Sequence, residues 1–372
     1  MKKILTVVGA RPQFIKAAVI SRLLRSDAWK GLATERLVHT GQHYDVNMSE
    51  IFFAEMCIPK ADVNLGIGGG GHGAMTGEML ARLEMELQSY RPDIVMIYGD
   101  TNSTLAGALA ASKLHIPVAH IEAGLRSRDK GMPEEQNRLV ADHVSTWLLC
   151  PTEAALANLK HEGIVNCVAC APSSDYPRVA KVGDVMLDAS LFYRGVATSR
   201  PQAERLLPKL GLQGSFRLLT LHRAENTDDT ARLAGIFKAL NKADELPIVF
   251  PVHPRTRKML EAATIEVGKH IRMLDPVGYL DMLDLEASCE RVITDSGGVQ
   301  KEAYFFGKPC LTLRDTTEWI ETVESGWNQL VGAEPEAIAR ALESPIPKGE
   351  RAPHYGSGDA GTRILETILG PS

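Results

Sequence analysis

Short apolar runs rich in β-branched residues alternate with longer stretches of helical period along the whole chain. This alternation predicts α/β units built around parallel sheets. In the first half the apolar runs are Ile4–Val8, Glu35–His39, Ile94–Tyr98, Val118–Ile121 and Trp147–Cys150. Helical stretches follow near Phe14–Arg25, Asn47–Met56, Gly73–Tyr90, Ser103–Leu114, Glu135–Val144 and Glu153–Glu162. The pattern restarts with strands at Phe216–Leu221, Pro247–Val252, Ile271–Leu274, Arg291–Thr294 and Cys310–Leu313, and with helices near Asp229–Ala243, Thr256–Glu266, Tyr279–Ser288 and Val299–Phe306. Between the two series, Ala-Pro-Ser-Ser-Asp-Tyr-Pro-Arg at 171–178 is a polar, turn-rich stretch that cannot continue a helix. The expected organisation is an N-terminal α/β domain over 1–170, a C-terminal α/β domain over 171–358 and a closing helix within 359–372. Each domain would be a doubly wound, Rossmann-like sheet, with the strand-end loops of both facing a cleft.

The strand ends carry polar residues that packing does not require. Arg291–Thr294 runs into Asp295-Ser296-Gly297-Gly298, and a helix begins near Val299. Such a turn leaves N–H groups unpaired at the positive end of a helix, a ready site for phosphate. Ser296 adds a hydroxyl, Gly297 and Gly298 let a ligand approach the backbone, and Glu302 is one turn on, within reach of a ribose hydroxyl. The alternative reading of this segment is a glycine turn used only for strand–helix packing. The usual dinucleotide fingerprint is absent.

In the first half, Arg11 and Lys16 follow the glycine turn after the first strand and suit a diphosphate, although solvated helix-end charges read the same way. Gln42 and His43 belong to the polar cluster Thr40–Asp45. Asp100 and Glu122 each end a very apolar strand, and Met132-Pro133-Glu134-Glu135-Gln136-Asn137-Arg138 opens a helix with two more acids. One carboxylate at a helix start simply complements the dipole, and for Glu135 that reading is preferred. Several acids at adjacent strand ends split into acid and base roles. In the second half His222, His253 and Arg314 close three strands, and His222 is able to titrate near neutrality. The second half offers phosphate and ribose contacts and the first offers acids and bases, which fits a nucleotide-activated substrate whose diphosphate spans the cleft while its other half meets the carboxylates.

Composition narrows this further. The chain has 372 residues, 44% hydrophobic and 23% charged, as expected for two ordinary soluble domains. A net charge of −5 offers no footprint for nucleic acid or an anionic membrane. The N-terminal apolar run is interrupted by Arg11 and Pro12, so it reads as a first strand rather than a signal peptide. With no apolar run of spanning length, a cytoplasmic protein is expected. Of the six cysteines, only Cys167 and Cys170 have a CxxC spacing, and reduced, partly buried thiols are expected there rather than a zinc or redox site.

The chain resembles the non-hydrolysing UDP-N-acetylglucosamine 2-epimerases over essentially its full length. The resemblance rests on GARPQFIKAA at 9–18, TGQH at 40–43, YGDTNSTLAGALAA at 98–111, HIEAGLRS at 120–127, MPEEQNR at 132–138, HRAEN at 222–226, VHP at 252–254 and TDSGGVQKEA at 294–303. It implies the two-domain GT-B fold shared with glycogen phosphorylase, a homodimer, and a reaction needing neither metal nor nicotinamide. It further implies that Asp100, Glu122 and Glu134 handle protons or stabilise the cation and that His222 assists the departing phosphate. Arg11, Lys16, Gln42, His43, Arg138, His253, Ser296, Gly297, Gly298, Glu302 and Arg314 would then hold the UDP-sugar. Gln13 stands where Glu is frequent and Ala224 where a second Arg is frequent. Tyr44-Asp45 replaces a stretch that in some bacterial members helps hold a second, activating UDP-GlcNAc, which argues against such activation here. With Trp319 after Thr317-Glu318, these variants look like a branch that epimerises UDP-2,3-diacetamido-glucuronate. A partner for the C6 carboxylate of that sugar would be sought at Arg126, Arg128, Lys130 or Arg138. A hydrolysing 2-epimerase, a glycosyltransferase of the same fold and a nucleotide-sugar sensor are the remoter readings.

Overall fold

Two parallel sheets organise the chain in the computed structural model, which describes residues 1–42, 60–167, 169–212, 214–243 and 246–370. The first sheet contains β1 (Lys2–Val8), β2 (Ala33–His39), β3 (Val63–Asn64), β4 (Ile94–Tyr98), β5 (Val118–Ile121), β6 (Trp147–Cys150) and β7 (Arg178–Lys181) in the order 3-2-1-4-5-6-7. The second contains β8 (Arg217–Thr220), β9 (Ile248–Pro251), β10 (Ile271–Leu274), β11 (Arg291–Thr294), β12 (Cys310–Thr312) and β13 (Asn328–Leu330) in the order 10-9-8-11-12-13. Both are doubly wound, with the strand order reversing between β1 and β4 and between β8 and β11. Ligands of such sheets bind outside the strand carboxyl ends at that reversal.

The central strands form because helices cover both faces, so the sequence must be apolar without alternation. β4 reads Ile-Val-Met-Ile-Tyr and is buried throughout. In the first sheet Leu5, Val7, Val95 and Ile97 pack against Met79, Leu83 and Leu87 of the helix His72–Tyr90 and against the alanines of the helix Asn102–Lys113. In the second, Leu219, Phe250, Ile293 and Leu311 pack against Leu233, Ile236 and Phe237 of the helix Thr230–Leu240. Each such side chain contributes about 1.5–3 kcal/mol on burial.

The chain divides into two compact units, residues 1–191 with 353–372, and residues 192–352. The boundary expected at 170 is displaced because β7 lies beyond it and pairs in parallel with β6, from Trp147↔Arg178 to Cys150↔Lys181. The helix Ala360–Leu369 returns to the first unit rather than closing the second. Its start is fixed by Asp188, whose carboxylate accepts from the N–H groups of Ala360 (3.1 Å) and Gly361 (2.8 Å). The helix expected near Asp229–Ala243 is Thr230–Leu240, capped by Asp229, and a further short helix, Ala224–Thr227, precedes it. The expectation of reduced thiols at 167 and 170 is also corrected, because Cys167 and Cys170 are joined by a disulfide. Their i,i+3 spacing in an irregular segment brings the sulfurs together. His43, Tyr44, Asp45 and the helix expected near Asn47–Met56 lie outside the described residues.

Candidate functional site

In the first unit the polar residues gather at the reversal between β1 and β4. After β1 the helix Arg11–Arg25 starts with Ala10 as its N-cap, which has no side chain to cap with. Gln13 does the work instead. Its Oε1 accepts from the N–H groups of Gly9 (2.8 Å) and Ala10 (3.0 Å), while Nε2 donates to the Tyr98 carbonyl (2.7 Å) and to the Thr101 and Thr104 hydroxyls (both 3.0 Å). One buried amide therefore fastens the end of β1 to the end of β4. One turn on, the Lys16 ammonium is ion-paired with Glu122 at the end of β5. Lys16 thus meets a carboxylate here, and Arg11 is exposed at the helix start.

Asp100 follows β4 and is gripped from the helix Pro133–Val144. Arg138 extends its fork between two acids, Nη2 to Asp100 and Nη1 to Glu135 at 2.6 Å. Asn137 donates to the Asp100 carbonyl (2.9 Å) and to Asn102 Oδ1 (3.2 Å). Glu135 does more than complement a dipole. It accepts from the Ser127 N–H (2.9 Å), the Ser127 hydroxyl (3.0 Å) and the Arg128 N–H (3.0 Å), anchoring the loop after β5. Burial alone would raise the Glu135 pKa, but the Ser127 and Arg128 N–H groups and Arg138 outweigh it and hold the carboxyl below its usual value.

Glu122 occupies the left-handed region at φ 70, unusual for a residue with a Cβ. It persists because its surroundings over-determine it. The N–H groups of Glu122 and Ala123 both donate to the Leu149 carbonyl, at 3.1 and 3.3 Å, and that of Gly124 donates to Asp142 at 3.1 Å. Glu134 is exposed beside the buried Glu135. Gln42 turns its Oε1 to the N–H (3.1 Å) and hydroxyl (2.7 Å) of Ser103, at the start of the helix after β4.

Of the four cations considered for a sugar carboxylate, Arg138 is engaged as described. Arg126 donates to Asp142 (2.7 Å) and makes a two-pronged pair with Glu162 (2.7 Å each). Arg128 and Lys130 are exposed.

The second unit repeats the arrangement with different chemistry. Asp295 ends β11, is fully buried, and accepts from the N–H groups of His222 (3.1 Å) and Arg223 (2.9 Å) and from Asn226 Nδ2 (3.3 Å). The His222 ring lies beside it, Nδ1 to Oδ1 at 3.4 Å. Burial lowers the His222 pKa. Asp295 opposes that, and the neighbouring Arg223 and His253 add to it, so the ring is neutral at pH 7.

The helix Gly297–Phe305 opens after Ser296, its N-cap, whose hydroxyl makes no cap hydrogen bond. The N–H groups of that first turn have no partner within the helix. Gly297 and Gly298 are not equivalent. A Cβ on Gly297 would run into Glu318 and lie 3.4 Å from Trp319 Nε1, whereas one on Gly298 would meet only Ser296 Oγ, at 3.9 Å. A Cβ at the first would push aside the end of the Glu318 side chain, and one at the second would displace nothing. Glu302 is buried and accepts from the Tyr279 hydroxyl (2.8 Å), Arg314 pairs with Glu318 (3.1 Å), and His253 Nδ1 accepts from the Arg255 N–H (3.2 Å).

The sequence residues thus assemble in two clusters, Asp100, Glu122, Lys16 and Arg138 with Gln42 in the first unit, and His222 with Asp295, Ser296 and Gly298 in the second. Asn137, Asp142, His120 and Asp295 act here as supports without having been assigned that role from sequence. For His120 and Asp295 the signal was a polar side chain within or just after an apolar run, whereas Asn137 and Asp142 lie on a largely polar helix and acquire meaning only once the neighbouring strands are known. Among the described residues no helix is long and apolar enough to cross a membrane.

A family model described as UDP-N-acetylglucosamine 2-epimerase matches residues 29–369. UDP-2,3-diacetamido-2,3-dideoxy-D-glucuronate 2-epimerase of Pseudomonas aeruginosa is 50% identical over 372 residues, covering 98% of this chain and 99% of that protein. The crystal structure of the Methanocaldococcus jannaschii UDP-GlcNAc 2-epimerase in complex with UDP-GlcNAc and UDP superposes with a TM-score of 0.83 at 41% identity, covering 99% of both chains. That of the Neisseria meningitidis enzyme bound to UDP-GlcNAc gives 0.83 at 32% identity, covering 99% of this chain and 100% of the other. Two Rossmann-like units with their polar residues at both strand-order reversals, matched end to end by these relatives, place the chain in the UDP-N-acetylglucosamine 2-epimerase family, isomerases of the GT-B fold.

Proposed function

We propose that the protein interconverts UDP-GlcNAc and UDP-ManNAc by eliminating and re-adding UDP, working as a cytoplasmic homodimer. The observation that carries this reading is the pair Asp100 and Glu122 at neighbouring strand ends, each carboxylate held against a cation, Arg138 or Lys16. Each cation fixes the position of its carboxylate at the strand end. The C2 proton of the sugar is not acidic. In the first half-reaction a carboxylate therefore removes it as the C1–O bond breaks, and the bond electrons leave with UDP. Carbon–carbon unsaturation between C1 and C2 gives 2-acetamidoglucal. In the second half-reaction the UDP oxygen adds back to C1 while a proton reaches C2 from the opposite face. Two faces need two proton-handling groups, drawn from Asp100, Glu122 and Glu134.

The His222 ring, with Nδ1 beside Asp295, would assist the departing phosphate through Nε2. The first turn of Gly297–Phe305, with Ser296, Glu302, Arg314 and His253, would retain UDP between the half-reactions. The family resemblance supports the dimer.

A second reading is favoured by one finding. The relative at 50% identity is named for UDP-2,3-diacetamido-2,3-dideoxy-D-glucuronate, against 41% and 32% for the two UDP-GlcNAc enzymes. Incubation with each sugar in D2O, followed by NMR, tests both. The expected result is the C2 epimer carrying deuterium at C2, and the faster substrate identifies the sugar. Epimer without deuterium would overturn the proton-transfer mechanism, and free UDP released stoichiometrically would point to a hydrolysing enzyme.

A further inference from the structure

Asp142 lies in the last turns of the helix Pro133–Val144 with a relative exposure of 1%. It accepts from His120 Nδ1 (2.7 Å), Arg126 Nη1 (2.7 Å) and the Gly124 N–H (3.1 Å). On the far side of its ring, His120 Nε2 meets the Gly99 carbonyl at 2.7 Å. A carbonyl can only accept, and the Asp142 carboxylate is also accepting from its other partners, so the His120 ring donates from both nitrogens. Gly99 immediately precedes Asp100, and Gly124 lies two residues after Glu122. One buried carboxylate is thereby tied to the peptide before one candidate proton-handling acid and to the turn after the other.

We infer that Asp142 is a positioning residue for the epimerisation, setting the spacing and aim of Asp100 and Glu122 through His120 and Gly124 without touching the substrate. The inference rests on the reading that those two acids handle the C2 proton. Burial alone would raise the Asp142 pKa, but His120 and Arg126 hold it below its usual value, so the acceptor remains charged. Proton removal from one face of C2 and delivery to the other tolerate little displacement of either acid. A misplacement of about 1 Å from a remote change costs roughly 10²-fold in rate.

The test compares Asp142→Asn, His120→Gln and Glu162→Gln, with Asp100→Asn and Glu122→Gln as references. In Asp142→Asn the amide sets a donor against one of the three donors the carboxylate now accepts from. His120→Gln keeps a donor for Gly99 and loses the link to Asp142. Both are expected to lower kcat by about 10²-fold per folded molecule while KM for the UDP-sugar stays within about threefold, the split of an interaction made only in the transition state. Folded molecules are counted by calorimetric UDP stoichiometry. Glu162→Gln removes only the outer partner of Arg126 and is expected to leave kcat unchanged.

Wild-type kcat per folded molecule in Asp142→Asn, or a rise in KM that accounts for the loss, would overturn the inference. If Asp142→Asn does not fold, His120→Gln decides on the same criterion. Activity in Asp100→Asn and Glu122→Gln would instead sink the catalytic assignment itself.

Discussion

The ammonium of Lys16 is ion-paired with the carboxylate of Glu122, with only 11% and 6% of the two side chains exposed. A buried carboxylate stripped of its cation is costly and takes up a proton more readily. Lys16→Met should therefore destabilise the first unit by about 3–5 kcal/mol. It should also lower kcat, because Glu122 loses the ammonium that holds its carboxylate in place. Urea unfolding and steady-state kinetics measure the two effects. An unchanged kcat with a raised KM would show that Lys16 serves the diphosphate instead.

Gln13 explains why an amide occupies a position where related sequences often carry Glu. Its Nε2 donates to the Tyr98 carbonyl at 2.7 Å, a bond that an ionised carboxylate cannot make. Gln13→Glu leaves that buried carbonyl facing an acceptor, at a cost of about 1–3 kcal/mol near neutrality. A protonated Glu can donate, so the deficit should shrink as the pH falls. Unfolding free energies of the variant and wild type at pH 7 and pH 5 give the comparison. A deficit independent of pH would mean that the amide's other bonds matter more.

The central strands were legible because a strand buried on both faces has to be written as an unbroken apolar run, as in Ile94–Tyr98. The edges were not. β7 reads Arg-Val-Ala-Lys and β13 reads Asn-Gln-Leu, each with a single partner strand and no face that must be wholly apolar. The carboxylates at the ends of β4 and β5 were legible because an acid closing an apolar strand has few structural reasons to be there. Their supports were hidden by topology. Gln13 binds Tyr98 across 85 residues and His120 binds Asp142 across 22. Neither distance has meaning until the strands are ordered. Gly297 carries a constraint of the same hidden kind, because a Cβ there would meet the end of the Glu318 side chain.

His39 ends β2 with 5% exposure and packs edge-on against Phe14, ring centroids 4.9 Å apart. Burial pushes its pKa down to about 4 from the ordinary 6.5. The unfolded chain therefore binds a proton that the folded one refuses. The contribution of this group to stability is complete above pH 6.5 and is lost as the pH falls towards 4. Its size is about 3 kcal/mol over that window. His39→Leu, similar in volume and without a proton to bind, should lose less stability between those two pH values than wild type does. Urea midpoints across the series measure it, and parallel curves would rule His39 out as the source.

Gly298 separates the two readings of the turn after β11, because packing and ligand binding predict opposite signs. A Cβ there has open space, its nearest neighbour being Ser296 Oγ at 3.9 Å. Alanine in the first turn of Gly297–Phe305 should raise stability by up to about 1 kcal/mol through lower backbone entropy in the unfolded chain. The same methyl group would stand between UDP and the N–H groups that hold it. Affinity for UDP should fall by about tenfold or more, equivalent to ~1.4 kcal/mol. Gly297→Ala should gain less, because its Cβ must push aside the end of the Glu318 side chain. Thermal unfolding and UDP calorimetry on both variants read the signs directly. If Gly298→Ala is more stable and binds UDP as tightly as wild type, the nucleotide does not approach the backbone at that residue.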